Sequence, residues 1–109
     1  MIKVLIDEQP TGRIRSFEMS GHANFAEHGK DLVCAGASAV SFGAVNAIIA
    51  LTGKTPQIDQ GSDGGYLKVT FPEADEKDHD IQLIVKAMIV SLQTIEQDYG
   101  QHIQLIFKK

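Results

Sequence analysis

Leu32 to Gly53 reads LVCAGASAVSFGAVNAIIALTG and carries no charged residue. A run of that length is enough to span a bilayer. Its composition argues otherwise. It is rich in Ala and Gly and includes Ser38, Ser41, Asn46 and Thr52, so its total hydrophobicity is modest. A small chain also needs one central helix, and no other segment fits that place as well. The reading taken here is a buried helix from Val33 to about Leu51. Gly53 ends it, and Pro56 follows at a position that cannot continue it. Its small side chains let it approach a sheet or a second helix closely.

The segments on either side alternate rather than repeat every three or four residues. Ile2, Val4 and Ile6 share one face of a strand from Ile2 to Asp7. Gln9-Pro10-Thr11-Gly12 is a turn, and Arg13 to Ser20 is its hairpin partner. The partner changes parity: Ile14 is even, Phe17 and Met19 are odd, so a bulge is expected between them. Gly21 to Leu32 has no sustained period and is read as a loop. Beyond the helix, Ile58 sits in a short strand, and Gly61 to Gly65 is a turn. Leu67, Val69 and Phe71 then alternate on one face of a clear strand.

The acidic stretch Glu73 to Asp78 suits the positive end of a helix dipole. Ile81, Ile84, Val85, Met88, Leu92, Ile95 and Tyr99 follow on one helical stripe. Gly100 ends that helix, and Ile103, Leu105 and Phe107 mark a last strand. The order is strand, strand, helix, strand, strand, helix, strand. The expected fold is one α+β domain over residues 1–109, with two helices packed on a mixed, mostly antiparallel sheet.

The composition removes several functions. The chain has 109 residues, enough for a single core. Ten Lys and Arg against fourteen Asp and Glu give a net charge of -4, a poor match for direct nucleic-acid binding. The single Cys forms no internal disulfide, which points to a reducing compartment. Charge returns at Asp7 and Glu8, leaving no room for a signal-peptide apolar region. The expected location is the cytoplasm, with no membrane partner.

The chemistry concentrates between Gly21 and Ser38. His22 stands at the end of a strand, and Cys34, the only thiol, at the start of a helix. A thiolate is the reacting form of a Cys nucleophile, and a helix start favours it through free N–H groups and partial positive charge. An imidazole stabilises the anion and then protonates a leaving amine. Two other readings stand beside this one. A lone Cys among small residues is commonly packing. His22, His28, Asp31 and Cys34 are also zinc-ligand types, although the paired Cys spacing of structural zinc sites is missing. Asp31 either caps the helix or accepts from His22 and sets its tautomer. Ser38 falls one turn after Cys34 and combines packing with some site contact. His79 and His102 read as ordinary surface or edge residues.

The pattern G-H-A-x5-G-x-D-x-V-C-A-x2-S, from Gly21 to Ser38, is similar to the signature of the bacterial ribosomal-processing cysteine protease family, Prp. The resemblance extends over essentially the whole chain in length and element order. It implies a cysteine endopeptidase without a cofactor that removes a short N-terminal extension from a large-subunit ribosomal protein, cutting after paired Phe residues. His22 corresponds to the family's catalytic histidine and Cys34 to its nucleophile. Asp31 and Ser38 correspond to supporting positions, and Gly21 and Gly29 to the glycines bounding the loop. The resemblance also implies a homodimer. One departure is Gly36-Ala37 in place of a bulkier pair. Gly in the first turns weakens a helix by about 1 kcal/mol relative to Ala.

The expected mechanism is acyl transfer. Cys34 attacks the scissile carbonyl, and backbone N–H groups at the helix start, Cys34 among them, hold the oxyanion. His22 protonates the leaving amine and then activates water. The Gly21 to Leu32 loop covers the peptide, which adds along a sheet edge. Two rivals are kept: a non-catalytic ribosome-assembly binding module of the same fold, and a thiol hydrolase acting on a small thioester or amide.

Overall fold

The computed structural model describes residues 1–27, 29–62 and 64–109. His28, weighed above as a zinc ligand, lies outside the described residues, as does Asp63. The elements follow the expected order: β1 (Ile2–Glu8), β2 (Ile14–Ser20), α1 (Leu32–Thr52), β3 (Gln57–Gln60), β4 (Tyr66–Thr70), α2 (Asp78–Tyr99) and β5 (Ile103–Lys108). The strands form one sheet in the order β3-β4-β2-β1-β5. Strands β1–β2, β2–β4 and β3–β4 pair antiparallel, and β1–β5 pair parallel.

One sheet face is buried. Ile2, Val4, Ile6, Phe17, Leu67, Val69 and Ile103 join a single apolar cluster with Val33, Ala37, Val45 and Ile48 of α1 and with Ile81, Val85, Met88 and Leu92 of α2. Lys3, Arg15, Lys68 and Gln104 point to the other face and are exposed. The expected parity change in β2 is a bulge. Asp7 pairs with Ser16 but Glu8 pairs with Ile14, so Arg15 is the extra residue. This step lets Ile14 and Phe17, of opposite parity, both turn inward, at 2% and 1% exposure.

A bulge frees backbone groups from the ladder, and here Gln82 of α2 takes them. Its Oε1 accepts from the Ile14 N–H at 2.7 Å, and its Nε2 donates to the Ile14 carbonyl at 2.8 Å. Arg13, one residue earlier, donates through Nε to the Asp78 carboxylate at 3.1 Å and through Nη2 to the Pro72 carbonyl at 2.6 Å. The hairpin base is therefore fastened to the first turns of α2.

Helix α1 starts at Leu32 with Asp31 as its N-cap and ends on Gly53, whose φ of 74° supplies the left-handed C-cap. It is long and apolar enough to cross a membrane by length and composition. In the fold, Val33, Ala37, Ser41, Val45, Ile48 and Thr52 form its buried face. The buried hydroxyls of Ser41 and Thr52 are satisfied inside the helix, donating to the carbonyls of Ala37 at 2.7 Å and Ile48 at 2.6 Å. Gly36 lies where α1 meets α2, with Ile95 Cδ1 at 3.5 Å from where a Cβ would stand. Leu32, Phe42 and Ile49 stand exposed away from that face, and Leu51 stands exposed in the last turn, without a charge among them. In β5 only Ile103 is fully buried, while Phe107 stands 40% exposed. The expected apolar face of that strand fades towards its end.

Candidate active site

Strand β2 delivers the chain to Gly21, where φ is +88°. Only glycine fits, because a Cβ there would overlap the carbonyl oxygen of Met1. The Gly21 N–H donates to the Gly65 carbonyl at 3.0 Å, so the loop starts from a fixed point beside β4. His22 follows and is exposed. Ala23 turns inward to 2% exposure, and its N–H donates to Cys34 Sγ at 3.3 Å. The loop then runs through Asn24, which holds a positive φ of 54°, to Gly29 at +90°. Both glycines expected to bound the loop thus occupy left-handed backbone.

Asp31 closes the loop onto the helix. Its Oδ1 accepts from the N–H groups of Val33 and Cys34, both at 3.0 Å, and its Oδ2 accepts from the Phe25 N–H at 2.9 Å. Of the two roles weighed for Asp31, the geometry shows the cap, with no hydrogen bond to His22 among the described residues. Burial alone raises the Asp31 carboxyl. The N–H bonds from Cys34, Phe25 and Ala26 and the bond to the Cys34 side chain outweigh it and hold the carboxyl below its ordinary value.

Cys34 sits in the first turn of α1, half-buried. Its backbone N–H is taken by Asp31, which corrects the expectation that this group is an oxyanion donor. A donor already bonded to a carboxylate is not free for a developing oxyanion. His22 and Cys34 open on one cavity of about 610 Å³, together with Asp31, Ser38, Gly21 and Gly29. No hydrogen bond joins the imidazole to Sγ in this state. Such bonds commonly tighten only when substrate arrives. No group of three or more metal-ligating side chains occurs among the described residues.

The cavity has walls that sequence reading did not assign. Met19 comes from β2, Phe42 from α1, and Tyr66 and Leu67 from β4. Met19 shares the parity of Phe17 in β2, pairing with Val4 as Phe17 pairs with Ile6, and so turns to the same side of the sheet. Tyr66 donates to Glu18 Oε2 at 2.6 Å. That bond, then burial and the charges of Glu18 and Asp59, push its hydroxyl up to about 12. Tyr66 therefore stays protonated, with its hydroxyl held on Glu18.

A thiol and an imidazole facing one peptide-sized cavity on a two-layer α+β fold have the make-up of a cysteine hydrolase. Comparison with known proteins makes the class specific. The family model for cysteine protease Prp matches residues 1–104, and the chain belongs to this family. The ribosomal processing cysteine protease Prp of Bacillus subtilis is 53% identical over 107 residues, spanning 96% of each chain. The Staphylococcus aureus protein of the same name is 45% identical, spanning 99% of this chain and all of its own. The crystal structure of the S. aureus protease with a covalently linked product peptide superimposes with a TM-score of 0.93 at 44% identity, covering 99% of this chain and 100% of that one. Its complex with a substrate peptide gives 0.86 over the same shares of the two chains.

Proposed function

We propose that residues 1–109 act as one cysteine endopeptidase domain that removes the N-terminal extension of a large-subunit ribosomal protein, cutting after paired Phe residues. The observation that carries this reading is the shared cavity of His22 and Cys34, with the Ala23 N–H on Sγ. The relatives named above are ribosomal processing proteases, and a product peptide covalently linked to one of them accords with a nucleophilic side chain.

In the proposed reaction Cys34 gives its thiol proton to His22, and Sγ forms a bond to the scissile carbonyl carbon as the carbonyl π bond opens onto oxygen. The tetrahedral intermediate collapses as His22 gives a proton to the departing amine, leaving a thioester. His22 then takes a proton from water as the water oxygen attacks the thioester, and the acid product and the thiol are released. Asp31 supports the nucleophile by holding the first turn of α1. Ser38 lines the cavity one turn further on. Gly21 and Gly29 bound a loop that closes over the peptide.

The protein acts in the cytoplasm as a homodimer and needs neither cofactor nor direct contact with nucleic acid. The exposed, uncharged apolar side chains of α1, Leu32, Phe42, Ile49 and Leu51, support association of two copies. The buried face of the same helix packs into the apolar cluster and supports a soluble protein over a membrane span.

The test is mass spectrometry of a peptide carrying the ribosomal protein's N-terminus, incubated with wild type, Cys34→Ala and His22→Ala. Wild type cuts after the Phe pair, and both variants lose the product. Equal cleavage by wild type and Cys34→Ala refutes the nucleophile.

A further inference from the structure

We propose that His102, in the turn between α2 and β5, is a positioning residue that keeps the Ala23 N–H on the Cys34 sulfur. The inference rests on Cys34 being the nucleophile. Its ground is one residue bonded on both sides: Ala23 N–H donates to Sγ at 3.3 Å, and the Ala23 carbonyl meets His102 Nδ1 at 3.0 Å. A carbonyl oxygen only accepts, so Nδ1 carries the proton. Ala23 is itself 2% exposed. Its carbonyl gives His102 a direct hold on the peptide segment that carries the sulfur's donor.

His102 is placed to act as a fixed post. Its own N–H donates to the Tyr99 carbonyl at 2.8 Å, at the end of α2, and its carbonyl accepts from the Ile2 N–H at 2.9 Å, at the start of β1. Its ring meets the Phe25 ring edge to face at 5.3 Å, and Phe25 meets Tyr99 the same way at 5.4 Å. The loop from Gly21 to Asp31 thus leans on the junction of α2 and β5 through both Ala23 and Phe25. A bond from an N–H to sulfur strengthens when the thiol ionises, because it becomes charge-assisted. It serves only while the donor is held in place beforehand. His102 supplies that hold without touching substrate.

The test compares His102→Leu with His102→Asn in the full chain. Leu keeps apolar contact with Phe25 and loses the donor. Asn keeps an N–H at the same two-bond reach from Cβ. Thermal melts establish that both fold. If the Leu variant does not, His102→Asp, the shape of Asn without an N–H, replaces it. The readouts are Cys34 alkylation by iodoacetamide and kcat and KM on the substrate peptide. Loss of the donor slows alkylation and kcat about tenfold, the range of a charge-assisted hydrogen bond. KM stays within about twofold, because substrate contacts are unchanged. Asn restores most of both rates. A folded donor-less variant with wild-type alkylation, or an Asn variant no faster than it, overturns the inference. Cleavage by Cys34→Ala overturns instead the reading beneath it.

Discussion

Gln82→Met tests the link between the β2 bulge and α2. The substitution keeps the length and most of the volume of the side chain and removes both of its hydrogen bonds. Ile14, at 2% exposure, then loses its partners for N–H and carbonyl together. Each buried backbone group left unpaired costs roughly 1–3 kcal/mol. The apolar Met returns part of this through burial, so the net loss is about 2–3 kcal/mol. A chain of this length unfolds with an entropy of about 0.23 kcal/mol/K, which converts the loss to a Tm lower by roughly 10 °C. Circular dichroism melts at neutral pH measure it. A melting point within about 3 °C of wild type refutes the reasoning, because Ile14 would then have found other partners by relaxation.

Three further outcomes follow from the structure. Gly36→Ala places a methyl at an ordinary 3.5 Å from Ile95 Cδ1. It raises stability by about 0.5–1 kcal/mol in urea unfolding, since Ala gains helix propensity without a clash. Gly21→Ala meets both a positive φ and the Met1 carbonyl, and peptide cleavage falls with the displaced His22 while a melt shows destabilisation. For acid, Asp31 is held low by the N–H bonds that outweigh its burial, and Asp75 first by its hydrogen bond from Lys54. Both folded values lie below the ordinary 3.8 of the unfolded chain, so their contribution is fully present above that value and lost as pH falls through the lower folded values. Stability measured by urea unfolding therefore falls below about pH 4, less steeply in Asp75→Asn.

What was legible in the sequence was whatever left a local pattern. The parity change between Ile14 and Phe17 exposed the bulge, because a strand's faces alternate strictly. The apolar stripe located α2, and Gly53 marked the end of α1. Gln82 left no such trace: a polar residue within an apolar stripe reads as a surface position. Its buried role depends on Ile14, which is far away in the chain. His102 was passed over for the same reason. Its partner Ala23 lies 79 residues earlier in the chain, and it stands outside the Gly21 to Ser38 motif. The two roles offered for Asp31 needed coordinates to separate them, since a cap and a partner for His22 start from the same residue. The oxyanion donor expected at Cys34 failed on that very cap.

The parallel pairing of β1 with β5 also decides how this protein can be handled. Ile2 pairs with Ile103 beside the cavity, and Asp7 pairs with Lys108 at the far end of the sheet. At about 3.3 Å per residue, the two ends of this strand pair stand roughly 17 Å apart. A tag joined ahead of Met1 emerges at the cavity rim and crowds it. A tether through Lys109, which reaches Glu8 at 3.7 Å on the far side, leaves the cavity open to solvent. Attachment chemistry for an immobilised or reporter-fused form therefore belongs at the carboxyl end.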